Sequence, residues 1–277
     1  MKSYKRLPTI PNVAKGNGVA ITLPVGNNYE KVDLYYEGVT PKQMTNIRLE
    51  IDGRMVSEWP DGSRLASMDA HYDRKGTDGA LTFHFNRPEL HVLAERRFFG
   101  LDTMGFQTAT IRFDIASDAA APALEAFAEV TQSIAGVANY LTKVRRFFIP
   151  VSNVGKFEID NIPKPAGASI AAFHLYMPDT SDDADALASV TKAELLVDNV
   201  NWHDVDAVKA ANRQVSNGRD PQVNESTVID LIQDGDIRHA LVLNDTIQDM
   251  RLRCESSAIG QVELMVEYID LHAAGRF

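Results

Sequence analysis

The fold is decided by Met44-Thr45-Asn46-Ile47-Arg48-Leu49-Glu50-Ile51-Asp52, in which apolar and polar residues alternate up to a turn. Alternation with period two predicts a strand that is buried on one face only. The same pattern returns 146 residues later, at Val190-Thr191-Lys192-Ala193-Glu194-Leu195-Leu196-Val197-Asp198. A β unit that occurs twice at this spacing predicts two similar domains in tandem.

The repeat continues beyond these two strands. Asp52-Gly53 predicts a hairpin turn, because glycine tolerates positive φ, and Asp198-Asn199 takes its place in the second half. Apolar residues at helical spacing then predict the same inserted helix twice, at Ser63 to Tyr72 and at Val205 to Val215. The turn and the helix therefore belong to the repeated unit.

Further short strands follow from alternation in each half. Ile111 and Leu264, 153 residues apart, are assigned to the last strands of their halves, and loop insertions would explain the larger offset. A third helix is predicted at Ala119 to Ile134, because Ser117 and Asp118 are candidate caps. The other predicted strands cover residues 81–85, 108–115, 169–176, 228–232, 250–254 and 261–269.

Short strands with turn residues between them, in units of about 130 to 140 residues, favour a jelly roll over an immunoglobulin sandwich of ~100 residues. The sequence therefore predicts an all-β protein of two tandem eight-stranded jelly rolls, a double jelly roll. Each carries one short inserted helix, and a linker helix joins them. We place the domains at residues 1–130, with an N-terminal arm and the linker helix, and 131–277, with sandwiches near residues 10–117 and 138–272.

Composition and charge exclude several classes of function. The formal net charge of −10 argues against direct nucleic-acid binding, which needs a basic surface. Cys254 is the only cysteine, so no intramolecular disulfide forms, and its alternation with apolar neighbours predicts a buried side chain. The start lacks the apolar core of a secretory signal and no run of 18 apolar residues occurs, so a soluble chain is expected.

A search for catalytic motifs finds no HExxH, GxSxG or CxxC, and Gly155-Lys156 lacks the upstream glycine of a phosphate loop. His84 and His91, seven apart, would face opposite sides of a strand, which argues against a shared metal. Glu50 and Glu194 are explained as polar residues of alternating strands rather than as a glycosidase pair. We expect no enzymatic activity, no catalytic residue and no organic cofactor.

One acidic loop is a candidate for a structural calcium site. Asp182, Asp183 and Asp185 bring hard oxygen ligands close together. The loop lacks the spacing and the glycine of a known calcium loop, so a solvated acidic loop is the favoured interpretation.

Three cations, Lys2, Lys5 and Arg6, lie within the first six residues. Such a group is able to rest against acidic lipid headgroups, at roughly 1 kcal/mol for each cation. The alternative is a solvated and frayed terminus.

Four runs, spread over nearly the whole chain, carry a resemblance to a known family. They are Tyr36-Glu37-Gly38-Val39-Thr40-Pro41-Lys42-Gln43-Met44-Thr45-Asn46-Ile47-Arg48-Leu49, Phe157-Glu158-Ile159-Asp160-Asn161-Ile162-Pro163, Asp236-Ile237-Arg238-His239-Ala240-Leu241 and Gln261-Val262-Glu263-Leu264-Met265-Val266-Glu267-Tyr268-Ile269-Asp270. Together they resemble the major capsid proteins of corticoviruses and related prophages. These viruses are tailless double-stranded DNA bacteriophages with a membrane inside an icosahedral shell.

The resemblance implies a double jelly roll that forms homotrimers and tiles the virion capsid, after assembly in the cytoplasm of the bacterial host. Three two-domain chains would present six similar sandwiches, a pseudo-hexameric tile. The implied partners are neighbouring trimers, a penton or vertex protein, and the internal membrane or its proteins. Lys2, Lys5 and Arg6 would form a membrane-proximal arm, which Pro8 and Pro11 keep extended.

Two other classes of protein stay open at this point. A jelly roll that binds or cleaves carbohydrate would present aromatic platforms, for which only Trp59 and Trp202 are available as tryptophans. A minor virion spike or a scaffold protein would share the β-rich pattern. A stable trimer distinguishes the capsid interpretation from both.

Overall fold

The computed structural model describes residues 2–74, 76–133, 140–177 and 188–272. The chain divides into two compact units. Unit 1 contains Met1–Asp69, Arg74–Val144 and Leu271–Phe277, and unit 2 contains Ala70–Asp73 and Arg145–Asp270.

Unit 1 is a sandwich of two antiparallel sheets, whose strands we number along the chain. One sheet has the order β1 (Ser3–Arg6), β9 (Ala123–Gln132), β3 (Asn27–Glu37) and β6 (Ala80–His84), and the two-residue β7 (Leu101–Asp102) also pairs with β3. The other has the order β2 (Gly18–Thr22), β8 (Ala109–Ile115), β4 (Met44–Ile51) and β5 (Arg54–Asp61). Apolar residues of both sheets form one core.

The sandwich of unit 2 repeats this arrangement strand for strand, although the division into units assigns Tyr140–Val144 of its strand β10 and Leu271 of β18 to unit 1. One sheet has the order β10 (Tyr140–Val151), β18 (Gly260–Leu271), β12 (Ser169–Tyr176) and β15 (Ser226–Asp230), with the two-residue β16 (Leu241–Val242) on β12. The other has the order β11 (Gly155–Ile159), β17 (Met250–Ser256), β13 (Val190–Val197) and β14 (Val200–Asp206). Within the described residues, each sandwich thus has eight longer strands and one of two residues, which confirms the predicted double jelly roll.

The inserted helices are also confirmed. They are α1 (Gly62–His71) and α3 (Ala207–Ser216), and each follows the second strand of its hairpin. A third helix, α2 (Leu93–Phe98), lies in unit 1 and was not predicted. Its six residues fall below the length at which apolar spacing identifies a helix.

The two inserted helices end in the same way. Asp73 (φ 55°) and Gly218 (φ 77°) adopt the left-handed conformation just after the helices. The amide of the following residue, Arg74 or Arg219, donates back into the last turn at 3.0 Å in both cases. Because this Schellman-type end fixes the course of the chain, Arg74 and Arg219 occupy equivalent positions.

The predicted linker helix at Ala119 to Ile134 is wrong, because most of it forms β9. Ala126, Ala128 and Val130 are buried in alternation, as a strand requires. Alanine has a high helix propensity, but pairing with β1 and β3 overrides this local preference.

The strand β9 changes two further predictions. The first sandwich runs from Ser3 to Gln132, beyond the expected limits of residues 10 and 117. Ile111 lies in β8, whose equivalent is β17, whereas Leu264 lies in β18, so that these two residues are not equivalent. The domain boundary after residue 130 stays a prediction, and it falls near the end of β9.

Both predicted hairpin turns are present, and each is tied to a neighbouring loop by its aspartate. Asp52 (φ 49°) and Asp198 (φ 48°) adopt the left-handed conformation. Asp52 Oδ1 accepts hydrogen bonds from two successive amides, at 2.7 and 2.8 Å. Asp198 Oδ1 does the same in unit 2, at 2.9 Å from each amide. The repeat therefore extends to single hydrogen bonds.

Replacing Asp52 or Asp198 by alanine is expected to lower the free energy of unfolding by about 1 to 2 kcal/mol in each case. Two amides lose their acceptor, and alanine disfavours positive φ. Asparagine, which keeps Oδ1 and tolerates this conformation, is the matched control and should cost about 0.5 kcal/mol or less. Urea unfolding measures the difference, and equal values for alanine and asparagine would contradict the assigned role.

Candidate assembly surface and buried ionic clusters

The N-terminal cations form part of unit 1. Lys2 Nζ lies 2.7 Å from each of two carboxylates, and Arg6 Nε lies 2.7 Å from Glu125. Lys5 is exposed and has no ion pair among the described residues. Because Ser3–Arg6 forms a strand that pairs with β9, the alternative of a solvated and frayed terminus is wrong for these residues, and the membrane-proximal role of Lys2, Lys5 and Arg6 stays a prediction.

The structure describes only some of the candidate metal ligands. Asp182, Asp183 and Asp185 lie outside the described residues, so calcium binding there stays a prediction. His84 lies in β6, whereas His91 is exposed and lies outside the strands. Within the described ranges there is no group of three or more potential metal-ligating side chains.

The two strand glutamates and the cysteine have structural environments. Glu50 Oε2 pairs with Arg112 Nε at 2.8 Å, and Glu194 pairs with Lys192. Burial, together with the negative charge of Glu194, raises the pKa of Cys254 to about 12. The thiol is therefore protonated at neutral pH, which agrees with the predicted buried apolar role.

The two tryptophans differ in environment. Trp59 packs against the core of unit 1, edge-on to Phe83 at 6.3 Å between ring centroids. Trp202 is 55% exposed and borders a groove of about 1010 Å³, which charged side chains such as Arg213 and Asp234 also line. An aromatic ring beside polar groups is the arrangement that the carbohydrate alternative requires.

Unit 2 contains a buried cluster of charged and aromatic side chains. Arg219 Nε donates to Asp230 Oδ2 at 2.8 Å, and His71 Nε2 lies 3.3 Å from the same oxygen. His174 Nε2 lies 3.0 Å from Glu267 Oε1, and the rings of His71 and His174 meet edge-to-face at 5.5 Å. The sequence did not indicate this cluster, because His71 and Asp230 are 159 residues apart.

The charges in this cluster follow from its burial. Burial lowers the pKa of His71, although the adjacent Asp230 opposes this shift. Burial alone would raise the pKa of Asp230, but His71 and the positive charge of Arg219 lower it overall. We therefore assign an Arg219–Asp230 ion pair with a neutral His71 beside it.

A second buried cluster, in unit 1, is built around one carboxylate. Glu89 accepts hydrogen bonds from Arg74, at 2.7 to 3.1 Å, and from Arg87 Nε at 3.0 Å. The Glu89 and Arg87 side chains are only 2% and 1% exposed. Burial alone would raise the pKa of Glu89, but Arg74 and Arg87 lower it overall.

Unfolding is expected to become easier at acid pH because of His84. Burial and the charges of Arg74 and Lys31 lower its pKa to about 3, from an ordinary value of about 6.5. Below pH 6.5 the unfolded chain takes up a proton that the folded chain refuses until about pH 3. The contribution of His84 to the free energy of unfolding is therefore fully present above pH 6.5. Between pH 6.5 and about pH 3, the free energy of unfolding falls by up to about 1.4 kcal/mol per pH unit.

Urea unfolding at pH 7, 5 and 4 tests this expectation. The His84→Gln variant should lose less stability between pH 7 and pH 4 than the unchanged protein does. Equal losses in the two proteins would show that His84 is not responsible. His71, whose pKa is also lowered, acts in the same direction and should account for part of the remaining slope.

The outer face of the β1-β9-β3-β6 sheet carries a group of aromatic rings, which we call the aromatic face: the exposed Tyr4 and Tyr35 and the half-buried Phe127. Tyr4 stacks on Phe127 at 5.4 Å, and Tyr35 meets it edge-on at 5.9 Å. Tyr4 and Tyr35 are 51% and 41% exposed. Rings that pack together yet stay exposed are typical of interaction surfaces. Tyr35 gave a signal in the sequence, because it occupies a polar-face position of β3.

The described residues thus include two buried clusters of charged side chains and one aromatic face on the surface. No helix of the described residues has the length and apolar character to cross a membrane.

Comparisons with known proteins give a consistent result. The family described as viral coat protein P2 N-terminal domain matches residues 4–131, and viral coat protein P2 C-terminal domain matches residues 141–272. The major capsid protein P2 of Pseudoalteromonas phage PM2 is 36% identical over 283 residues, which cover 100% of both chains.

Solved structures agree with this match. The crystal structure of the major capsid protein P2 from bacteriophage PM2 gives a TM-score of 0.92 at 36% identity, over 100% of both chains. The atomic structure of Sulfolobus turreted icosahedral virus gives 0.70 at 12% identity, over 99% of this chain and 92% of the other, which shows a shared fold. These matches support a capsid function and not the carbohydrate, spike or scaffold alternatives. The chain belongs to the viral coat protein P2 family and is a double jelly-roll capsid protein of the virion, not an enzyme.

Proposed function

We propose that the chain forms homotrimers, and that each trimer acts as one pseudo-hexagonal tile of an icosahedral shell. The supporting observation is the strand-for-strand duplication, because three chains then supply six similar sandwiches around one axis. A tile made of three chains can therefore pack among six neighbouring tiles. Association of the chain with other copies of itself follows from its capsid function.

Light scattering over a hundredfold dilution tests the trimer. The expected mass is three times the 30.6 kDa chain mass, both with and without calcium. A stable trimer should bury an interface of well over ~1,000 Å² and so resist dilution. A monomer at every concentration, in both buffers, would exclude this proposal.

The shell also needs a second kind of vertex. Tiles that each meet six neighbours form a flat lattice, so a closed icosahedral shell needs other units at its fivefold positions. We therefore propose a separate penton protein as a partner. Purified trimers should assemble alone into sheets in electron micrographs, and closed shells made from trimers alone would contradict this partner.

A contact between the amino terminus and an internal membrane is the remaining proposal. Its support is the group of cations Lys2, Lys5 and Arg6, although two of them already have carboxylate partners. Binding to acidic vesicles at low ionic strength should weaken when all three become serine. A matched control changes the exposed cations Lys15, Lys42 and Arg54 to serine. Equal binding by the two variants would remove the lipid contact.

A further inference from the structure

The outer faces of the β1-β9-β3-β6 and β10-β18-β12-β15 sheets are built from equivalent residues. Tyr35 lies opposite Glu125 on β9, as Tyr176 lies opposite Glu263 on β18. Each glutamate forms an ion pair with an arginine of the adjoining strand, Glu125 with Arg6 and Glu263 with Arg146. Two residues further along, Phe127 of β9 corresponds to Met265 of β18.

Exposure separates the two faces, although their chemistry matches. In unit 2, Tyr176 is 1% exposed and Met265 is fully buried, whereas Tyr35 of unit 1 is 41% exposed. The arginine side chains differ in the same direction, because Arg6 is 67% exposed and Arg146 is 25% exposed. One repeat therefore has a cover over this face that the other repeat lacks.

The cover in unit 2 includes the last residue of α1, His71, and the residue after it, Tyr72. The rings of His71 and Tyr72 lie 5.5 and 6.2 Å from the ring of His174, which projects from the outer face. His71 also contacts Asp230 on the neighbouring strand. Residues 70–73 belong to unit 2, although they continue from a helix that begins in unit 1.

The shared helix ends identify the equivalent segment in the second repeat. Since Arg74 corresponds to Arg219, His71 and Tyr72 correspond to Ser216 and Asn217. Ser216 is exposed, and so is Val215, at 58%. The chain therefore has an exposed aromatic face in unit 1. It also has an exposed segment at the end of α3, which is equivalent to the segment that covers the corresponding face of unit 2.

We propose that the aromatic face of one chain binds the end of α3, residues 215–218, of a second copy of the same chain. The contact is head-to-tail, because it joins two different surfaces, and it closes into a ring when three copies are present. Val215 places an apolar side chain in the segment that meets the exposed rings. This inference rests on the proposed trimer and names the surfaces that hold it together.

Two variants remove one surface each, at exposed positions that should leave the fold intact. Tyr4→Ser with Tyr35→Ser removes the two exposed rings of the aromatic face, and Val215→Asp places a charge on the α3 end. Either variant should raise the concentration at which the trimer dissociates by at least tenfold in light scattering. The matched control, Val154→Ser with Ile259→Ser, changes two exposed apolar residues elsewhere, at 63% and 61% exposure, and should remain trimeric.

Mixing the two variants gives a sharper test. One variant keeps only the α3 end and the other only the aromatic face, so a single contact forms between them. At a concentration at which each variant alone is monomeric, the mixture should contain a 1:1 dimer of twice the 30.6 kDa chain mass. Circular dichroism checks that both variants are folded.

Cross-linking covers the case in which a variant does not fold. Tyr35→Cys and Asn217→Cys in one chain should give covalent trimers with a short bis-maleimide, whereas Tyr35→Cys and Ile259→Cys should not. If the unchanged protein is trimeric but both surface variants stay trimeric and the cysteines do not cross-link, this inference is wrong and the proposed trimer stands. If the unchanged protein is a monomer, the proposed trimer fails first.

Discussion

Replacing Glu89 by glutamine is expected to lower the free energy of unfolding by about 3 to 5 kcal/mol. Glu89 is the carboxylate that both Arg74 and Arg87 contact, and the Arg87 side chain is only 1% exposed. Glutamine keeps the size of the side chain but removes its charge. Two guanidinium groups would then remain close together without this negative partner, in a place where water solvates Arg87 poorly.

Urea unfolding measures this loss, and an exposed ion pair supplies the control. Glu158 pairs with Arg253 at 2.7 Å, and both side chains are 46% exposed. Glu158→Gln should cost less than about 1 kcal/mol, because water already screens that pair. If the two substitutions cost the same, burial is not what makes Glu89 important.

Replacing Asp230 by asparagine is expected to destabilise unit 2 by a similar amount, about 3 to 5 kcal/mol. Asp230 accepts from Arg219 at 2.8 Å and from the backbone amide of Ile232 at 3.0 Å, and it also contacts His71. The Asp230 side chain is fully buried, and the Arg219 side chain is 3% exposed. The substitution leaves the Arg219 guanidinium buried without the negative charge of Asp230.

A double-mutant cycle separates the ion pair from other effects of the substitution. Arg219→Met removes the positive charge while keeping most of the length of the side chain. If the pair is the cause, Asp230→Asn combined with Arg219→Met should cost less than the sum of the two single changes, by at least about 1.5 kcal/mol. Additive costs would mean that each residue acts separately.

Much of the fold could be predicted because strands in a half-buried sheet carry their own pattern. β8 is buried at alternate residues and covers Ala109–Ile115, within the predicted residues 108–115, and both aspartate turns lie where expected. β9 could not be recognised in this way, because its buried face consists largely of alanine. Its conformation depends on β1 and β3, which lie far away in the sequence.

The important side chains were harder to predict than the strands. Arg219, Glu89 and Arg74 resemble ordinary surface charges in the sequence. Asp230 stands between the apolar Ile229 and Leu231, but the sequence does not show which side chains pair with it. Only the fold brings His71 within reach of Asp230. The aromatic face could have been suspected from Tyr35, but its link with Tyr4 and Phe127 depends on the pairing of three strands.

The placement of His71 in unit 2 has a consequence for biosynthesis. At a rate of about 5 to 20 residues per second, His71 leaves the ribosome roughly 10 to 30 s before Asp230, which is 159 residues further along the chain. The contact between His71, at the end of α1, and Asp230 therefore cannot form until most of the chain has been translated. A truncated chain that stops before Asp230 lacks this partner of His71, so the contact forms only in chains that are nearly complete.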